Sequence, residues 1–71
     1  MMLARTKDLH REIVRFVQDF TREEGVPPTL HEIAAHMRMP DSSARYHILA
    51  LESSGKIERD PTKHRSIKVL R

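Results

Sequence analysis

Residues 42–49 (SSARYHIL) bring hydroxyl, guanidinium and phenol side chains together within about two turns of a helix. At about 100° per residue, the side chains that point away from the apolar positions are Ser42, Arg45, Tyr46 and Leu49, with Ser43 at the edge of this outer face. An arginine donates two parallel hydrogen bonds to guanine, a hydroxyl suits a phosphate or a base edge, and a tyrosine ring or a leucine packs on a thymine methyl. The stretch therefore predicts a face that contacts DNA. Arg45 either contacts a base edge or, as the alternative, only a phosphate, because half or more of protein–DNA hydrogen bonds go to the backbone.

A second candidate binding region is the run of Lys63, His64 and Arg65 near the end of the chain. Residues 54–71 carry six basic and two acidic side chains, whereas residues 1–53 carry seven basic and eight acidic ones. Because the excess positive charge is concentrated in the C-terminal part, we expect these three residues to attract DNA phosphates without regard to sequence. The alternative is a basic sheet edge that only discourages aggregation.

The histidines do not form a catalytic or metal-binding pattern. The sequence has five of them and no cysteine, and no pair shows the His-x-x-x-His spacing or an established combination with Asp or Glu. His31 and His36 are five residues apart, which places them on different sides of a helix as solvated surface residues. We therefore expect no enzyme activity, no metal, no cofactor and no small-molecule substrate.

A short helix is predicted ahead of residues 42–49. Thr29 followed three residues later by Glu32 has the pattern of a capping box, in which the two side chains satisfy the first free N–H groups of a helix. Pro40 ends this helix, because proline lacks the N–H and clashes with the preceding turn. The helix therefore covers about residues 30–38.

The recognition helix that follows covers about residues 42–54. Asp41 is its expected N-cap, with Ser42 and Ser43 as further candidates. Gly55 ends it, since glycine adopts the left-handed conformation of a helix C-terminus most easily. The apolar positions that recur at helical spacing are Ala44, Ile48 and Leu51. Two short helices around a tight turn, the second with a polar outer face, have the form of a helix-turn-helix.

The rest of the chain predicts a supporting helix and a hairpin. Residues 6–24 form the longest helix, and we expect most of the core from its apolar stripe, Leu9, Ile13, Phe16, Val17 and Phe20. Residues 56–70, the wing, alternate apolar and polar side chains around a turn at residues 60–63 (DPTK), where Asp and Pro favour a type I turn. The fold class is therefore mainly α with a small β-hairpin, a winged helix-turn-helix of three helices and a two-stranded antiparallel wing.

Length and composition fit one small domain over residues 1–71. A chain of this size forms a single core and buries only about 60% of its unfolded surface. The absence of cysteine suits a reducing cytoplasm, and the sequence has neither an apolar run of about 18 residues for a membrane helix nor a signal-peptide pattern. We expect a soluble, cytoplasmic domain.

Several short runs of the sequence together resemble one known family. They are residues 25–29 (GVPPT), 32–34 (EIA), 42–43 (SS), 51–52 (LE) followed by Gly55, 59–63 (RDPTK) and 65–67 (RSI). In order and spacing they resemble the N-terminal DNA-binding domain of LexA, the repressor of the bacterial DNA-damage (SOS) response, over nearly the whole chain. The resemblance implies a transcriptional repressor that binds inverted-repeat half-sites of double-stranded DNA, with the recognition helix in the major groove and the wing on phosphates.

The chain departs from the family pattern in two ways. Arg38 occupies a turn position where the family usually has glycine, and the turn is one residue shorter. A residue with a side chain there must either avoid a positive φ or adopt it at an energetic cost. LexA-like proteins also carry a self-cleaving C-terminal domain that forms the dimer, and these 71 residues hold no counterpart. The sequence is compatible both with a fragment of a longer repressor and with a complete short protein. We expect at most a weak homodimer on DNA.

The alternative function is a winged-helix module that binds another protein. Tyr46 beside Leu49 would then form an apolar contact patch on the outer face. The basic wing favours DNA over this alternative. RNA is a weaker candidate, because the sequence predicts no aromatic platform for stacking bases.

Overall fold

The computed structural model describes residues 6–70. In chain order these form helices α1 (Thr6–Glu24), α2 (Leu30–Met37) and α3 (Asp41–Ser53), then strands β1 (Ile57–Glu58) and β2 (Lys68–Val69). The strands pair antiparallel, with Ile57 opposite Val69. The predicted fold class is confirmed, although each strand is shorter than the alternating pattern suggested; residues 1–5 and 71 of the predicted domain lie outside the described residues. Over residues 6–70, no helix is both long and apolar enough to cross a membrane.

The core is aliphatic and is shared among all the elements. Its buried cluster consists of Ile13, Val17, Ile33, Ile48, Leu51, Ile57 and Ile67. Only the first two come from α1, so the prediction that the α1 stripe supplies most of the core is wrong. Phe16 and Phe20 are half-buried; Phe16 packs against the cluster, and Phe20 lies next to Phe16, with ring centroids 5.6 Å apart.

The capping box at the start of α2 forms as predicted. The Thr29 hydroxyl accepts a hydrogen bond from the Glu32 N–H at 3.1 Å, and Glu32 Oε1 accepts one from the Thr29 N–H at 2.8 Å. Behind this start, Ile33 and Ala34 are buried and pack the helix into the core. Helix α2 is therefore fixed at its first turn by local bonds and along one side by apolar contact.

The turn between α2 and α3 begins at Arg38, which ends α2 one residue earlier than predicted. Arg38 has a φ of 57° and lies in the left-handed region. The N–H groups of Arg38 and Met39 donate to the carbonyls of Ala35 and Ala34 at 3.2 and 3.0 Å. This is the bond pattern of a Schellman motif, which normally uses glycine. The chain therefore adopts the positive φ, at a cost of about 1 kcal/mol for a residue that carries a Cβ.

Helix α3 begins at Asp41, and its N-cap is Pro40. The Pro40 carbonyl accepts the first helical bonds, from the N–H groups of Ser43 and Ala44 at 3.1 Å. The prediction that Asp41 caps α3 is wrong, because the extended backbone of Pro40 already provides the cap position. The Asp41 carboxylate instead accepts a hydrogen bond from His31 Nδ1 of α2 at 3.0 Å.

Glycines end α1 and α3, as predicted. Gly25 and Gly55 both have a φ of 80°. The Gly25 N–H donates to the Thr21 carbonyl at 2.9 Å, and the Gly55 N–H donates to the Glu52 carbonyl at 3.1 Å. Gly25 therefore sets the point where the chain leaves α1 toward α2, and Gly55 sets the point where it leaves α3 toward the wing.

Candidate nucleic-acid interface

Helix α3 buries one side and exposes the other. The buried residues are Ala44, Ile48 and Leu51. The exposed residues of the predicted outer face are Ser42, Arg45, Tyr46 and Leu49, with Ser43 half-buried at its edge. Tyr46 is 68% and Leu49 44% exposed, which is unusual for such large side chains. The predicted division of α3 into a buried and an outward side is confirmed.

The polar groups of the outer face are unoccupied by intramolecular partners. Within residues 6–70, no hydrogen bond or ion pair involves the side chains of Ser42, Ser43 or Arg45. Since Pro40 provides no side-chain cap, the first N–H groups of α3 also lack a side-chain acceptor. This end of α3 therefore offers donors to a ligand with acceptor oxygens, such as a phosphate or a base edge.

Histidines join the three helices to one another. His36 Nε2 contacts Glu12 Oε2 at 2.8 Å, which links α2 to α1, and its ring stacks on Phe16 at 4.1 Å. His31 and His36 are exposed, as predicted, yet both contact a neighbouring helix. The half-buried pair of His10 and His47 links α1 to α3 through ring nitrogens 3.0 Å apart. These contacts help to hold α3 at a defined angle to the other helices.

The tip of the wing is a well-bonded turn. The Lys63 N–H donates to the Asp60 carbonyl at 3.0 Å, as expected for a turn over residues 60–63. Asp60 Oδ1 accepts hydrogen bonds from the Thr62 hydroxyl and N–H at 2.6 and 2.9 Å, and these bonds lower the pKa of Asp60. The Ser66 hydroxyl closes the turn by accepting from the Asp60 N–H at 2.8 Å. The exposed side chains of Lys63 and His64 therefore project from a fixed tip.

Much of the positive charge of the wing is paired inside the domain. Arg59 lies 3.2 Å from Glu52 of α3, and Lys68 lies 3.7 Å from Glu58 on the opposite strand. Across the described part of the wing, Lys63 makes no ion pair. A count of basic residues therefore overstates the charge that the wing presents to a ligand.

Arg65 is the most strongly engaged of these residues. Its Nη1 and Nη2 donate to Glu32 Oε1 and Oε2 at 2.8 and 3.0 Å, and Nη1 also donates to the Pro27 carbonyl at 3.0 Å. The hydrogen bonds from Arg65, followed by the Thr29 N–H, lower the pKa of Glu32 to about 2. The same pair raises the pKa of Arg65. The structure thus places Arg65 as a bidentate tie between the wing and the start of α2, and its predicted phosphate contact remains a prediction.

The sequence of the domain matches a known protein family. The model of the family described as LexA DNA binding domain matches residues 6–66, which include all three helices and most of the wing. The chain belongs to the LexA DNA-binding domain family. The resemblance inferred from the short sequence runs is confirmed.

Individual LexA repressors are similar over most of the chain. The LexA repressor of Roseiflexus sp. (strain RS-1) is 42% identical over 60 residues, covering 83% of this chain and 28% of that protein. The LexA repressor of Thermotoga petrophila is 38% identical over 66 residues, covering 89% of this chain and 34% of its own length. That of Clostridium acetobutylicum is 36% identical over 67 residues, covering 93% and 33%. The chain therefore spans about a third of the length of these relatives.

One functional pair escaped the sequence analysis of this LexA-type domain. Glu32 was assigned only to the capping box, whereas its carboxylate also binds Arg65, 33 positions away. A signal for the pair was present, because the runs at 32–34 and 65–67 both belong to the LexA resemblance and each carries one member of an opposite-charge pair. Spacing alone does not reveal such a contact, since it depends on how the wing folds back.

Proposed function

We propose that this LexA-type domain binds double-stranded DNA sequence-specifically and serves as the DNA-binding part of a cytoplasmic transcriptional repressor. The observation that carries the proposal is the outer face of α3, whose donors have no intramolecular partner, in a chain matched by the LexA DNA-binding family over residues 6–66. The relatives are named LexA repressors, which supports a role in repression. From the resemblance to LexA, we extend the proposal to the SOS response and to inverted-repeat operators. The proposal assigns no catalytic reaction and no cofactor to the domain.

The proposed contacts divide the domain into two binding regions. Arg45 donates to guanine in the major groove, Tyr46 and Leu49 pack on thymine methyls, and Ser42 and Ser43 donate to a phosphate or a base edge. Lys63 and His64 at the wing tip contact phosphates. Arg65 keeps the wing in place through Glu32 and so contributes to phosphate binding mainly by positioning its neighbours.

Selection of bound duplexes from a random DNA library tests the proposal. We expect one enriched half-site, recovered singly or as an inverted repeat occupied by a weak homodimer. The Arg45→Ala variant should lose the preference at one position of that half-site, whereas the matched wing variant Lys63→Ala should recover the same half-site with weaker overall binding. Recovery of no sequence above the random background by the wild-type chain would overturn the proposal.

The second candidate is a protein-binding module, which the exposure of Tyr46 and Leu49 favours. A salt series on mixed genomic DNA separates the two functions. A phosphate-binding domain loses affinity steeply as salt rises, because bound counterions are released on association. An apolar contact with a protein changes little over the same series. We expect the steep loss.

A further inference from the structure

The contact between α1 and α3 includes a hydrogen-bonded pair of histidines. His10 Nε2 lies 3.0 Å from His47 Nδ1, and the two rings meet edge to face with centroids 5.1 Å apart. A hydrogen bond between two imidazoles needs an N–H on one nitrogen and a lone pair on the other. The bond therefore exists when at most one ring is protonated. If both rings were protonated, each facing nitrogen would carry an N–H and each ring a positive charge. The two rings would then repel each other.

The surroundings of the pair oppose its second proton. His10 lines a cavity of about 620 Å³ between α1 and the end of α3, and the charged residues that share this cavity are Lys7, Arg11 and Lys56. No carboxylate lines the cavity among the described residues. Burial lowers the pKa of His10, and the charge of His47 lowers it further. Full protonation of the pair therefore adds a charge on His47 beside a charged His10 that already shares its cavity with three cations.

The same pair supports a residue of the outer face. The His47 ring packs edge to face against Tyr46, with centroids 5.3 Å apart at 76°. Tyr46 is otherwise largely exposed, at 68% of the residue. The phenol therefore has His47 as its aromatic neighbour, and His47 is held in turn by His10.

We infer that the His10–His47 pair is a positioning device for Tyr46 and the outer face of α3, and that protonation of both rings lowers sequence specificity. Loss of the hydrogen bond and repulsion between α1 and α3 free the His47 ring, so Tyr46 loses its defined orientation. Sequence specificity depends strongly on the orientation of Tyr46, whereas binding to phosphates depends on it less. This inference rests on the proposed function.

The test measures the dissociation constants of the chain for two duplexes by fluorescence anisotropy. The measurements are made at about pH 7.5 and about pH 5.5, above and below the usual pKa of histidine side chains. One duplex is the best sequence from the random selection, and the other is a scrambled duplex of equal length. The ratio of the two constants is the readout, because added positive charge or partial unfolding changes both constants by the same factor. For the wild-type chain we expect this ratio to fall by roughly threefold to tenfold at the lower pH.

Two matched variants identify the pair as the cause. In His10→Gln the side-chain amide does not titrate, and it can donate to His47 Nδ1 through its NH2 or accept from it through its oxygen. The contact therefore survives protonation of His47, and the ratio should become independent of pH. In His64→Gln a histidine is removed from the wing tip, away from the pair, and the wild-type fall should persist. An unchanged wild-type ratio, or the full fall in His10→Gln, would overturn the inference. Failure of the proposed function is distinguishable, because it leaves no selected duplex at the higher pH.

A spectroscopic measurement on the wild-type chain covers the case in which His10→Gln does not fold. Imidazole proton signals followed by NMR should show His10 and His47 as a coupled pair, in which the signals of each ring respond to protonation of the other. If protonation of one ring left the signals of the other unchanged, the rings would not interact in solution. The positioning role would then be excluded without any variant.

Discussion

Two arginines of this domain illustrate how the fold assigns roles at the scale of single residues. Arg45 and Arg65 are both exposed, and the sequence placed both on DNA. Arg65 makes three intramolecular hydrogen bonds to Glu32 and Pro27, whereas Arg45 makes none within residues 6–70. If the Arg65 guanidinium left the Glu32 carboxylate to bind a phosphate, the net gain in binding free energy would be small, because one charge-assisted hydrogen bond would replace another. Arg45 is therefore the stronger candidate for a direct DNA contact.

Replacement of Arg45 with alanine tests base contact at this scale. We expect the discrimination at one base pair to fall by about 1–3 kcal/mol, because a bidentate bond to guanine distinguishes it from the other bases. The measurement compares wild type and Arg45→Ala on half-sites that carry every single-base change. Equal weakening on all half-sites would mean that Arg45 contacts only a phosphate.

Replacement of Lys63 with alanine tests phosphate contact by the wing tip. The affinity for selected and random duplexes should fall by a similar factor, and the slope of log affinity against log salt should decrease by about one unit. Binding curves at several salt concentrations provide both quantities. A change in the preferred sequence would instead identify the wing tip as a base-contacting element.

At the scale of elements, the turn between α2 and α3 and the tie between α2 and the wing determine how the binding regions are held. Arg38 takes a left-handed conformation to complete the turn, with its N–H and that of Met39 satisfied by α2 carbonyls. The Glu32 carboxylate accepts hydrogen bonds both from the Thr29 N–H at the start of α2 and from the Arg65 guanidinium. The start of α2 is thus the point where the helix-turn-helix and the wing are joined.

The strain at Arg38 predicts a stabilising glycine. Arg38→Gly should be more stable than the matched Arg38→Ala variant by about 1 kcal/mol, because only glycine adopts a positive φ without a steric cost. Both variants remove the same charge, so their comparison isolates the backbone term. Urea denaturation followed by circular dichroism measures the difference. Equal stabilities would show that the turn relaxes in solution.

The Glu32–Arg65 tie predicts a particular acid sensitivity. The carboxyl of Glu32 has a usual pKa of 4.5 and a folded pKa of about 2. Between these values the unfolded chain binds more protons than the folded one, so the free energy of unfolding decreases as the pH falls through this window. Glu32→Gln should flatten this part of the stability curve, because its side chain does not titrate.

The control for the acid sensitivity is Glu23→Gln, which removes an exposed acidic residue near the end of α1 and leaves the tie intact. Its stability should fall with pH in the same way as that of the wild-type chain. Chemical denaturation at a series of pH values gives both curves. A Glu32→Gln curve parallel to the wild-type curve would contradict a stabilising role for the tie.

At the scale of the whole molecule, the domain is small and has a single aliphatic core. It measures 36 × 24 × 23 Å, and the core draws on all three helices and the wing. Each strand of the wing has two residues, so the wing depends on side-chain ties to Glu32 and Glu52 as well as on its own pairing. A change in any one element therefore affects the support of both binding regions.

The small size predicts monomeric behaviour without DNA. A module of this size binds one half-site with a limited interface, and two unlinked copies lack the gain in effective concentration that a linking domain provides. We expect sedimentation velocity of the 71-residue chain to show a monomer, with two copies together only on a duplex that carries an inverted repeat. A tight dimer in the absence of DNA would contradict this expectation.

The sequence by itself determined the order and kind of the elements, because the signals involved are local. The capping box of Thr29 and Glu32 and the stops at Gly25 and Gly55 act within one helical turn, and the spacing of apolar residues on α3 already separates its outer face from its buried side. The same locality limits precision, because Pro40 and Asp41 both suit the start of α3. The extended backbone of Pro40 provides the cap, and the Asp41 carboxylate contacts His31 of α2 instead.

Only the tertiary structure decided which polar side chains remain available to a ligand. Arg65 meets Glu32 across 33 positions of the chain, and His10 meets His47 across 37. Such contacts depend on the angles at which α1 and the wing pack against the helix-turn-helix, and these angles follow from the fit of the buried isoleucines rather than from any local pattern. The sequence therefore predicted a basic wing and an outer face on α3, whereas the packing determined that Arg45 and Lys63 remain open and Arg65 does not.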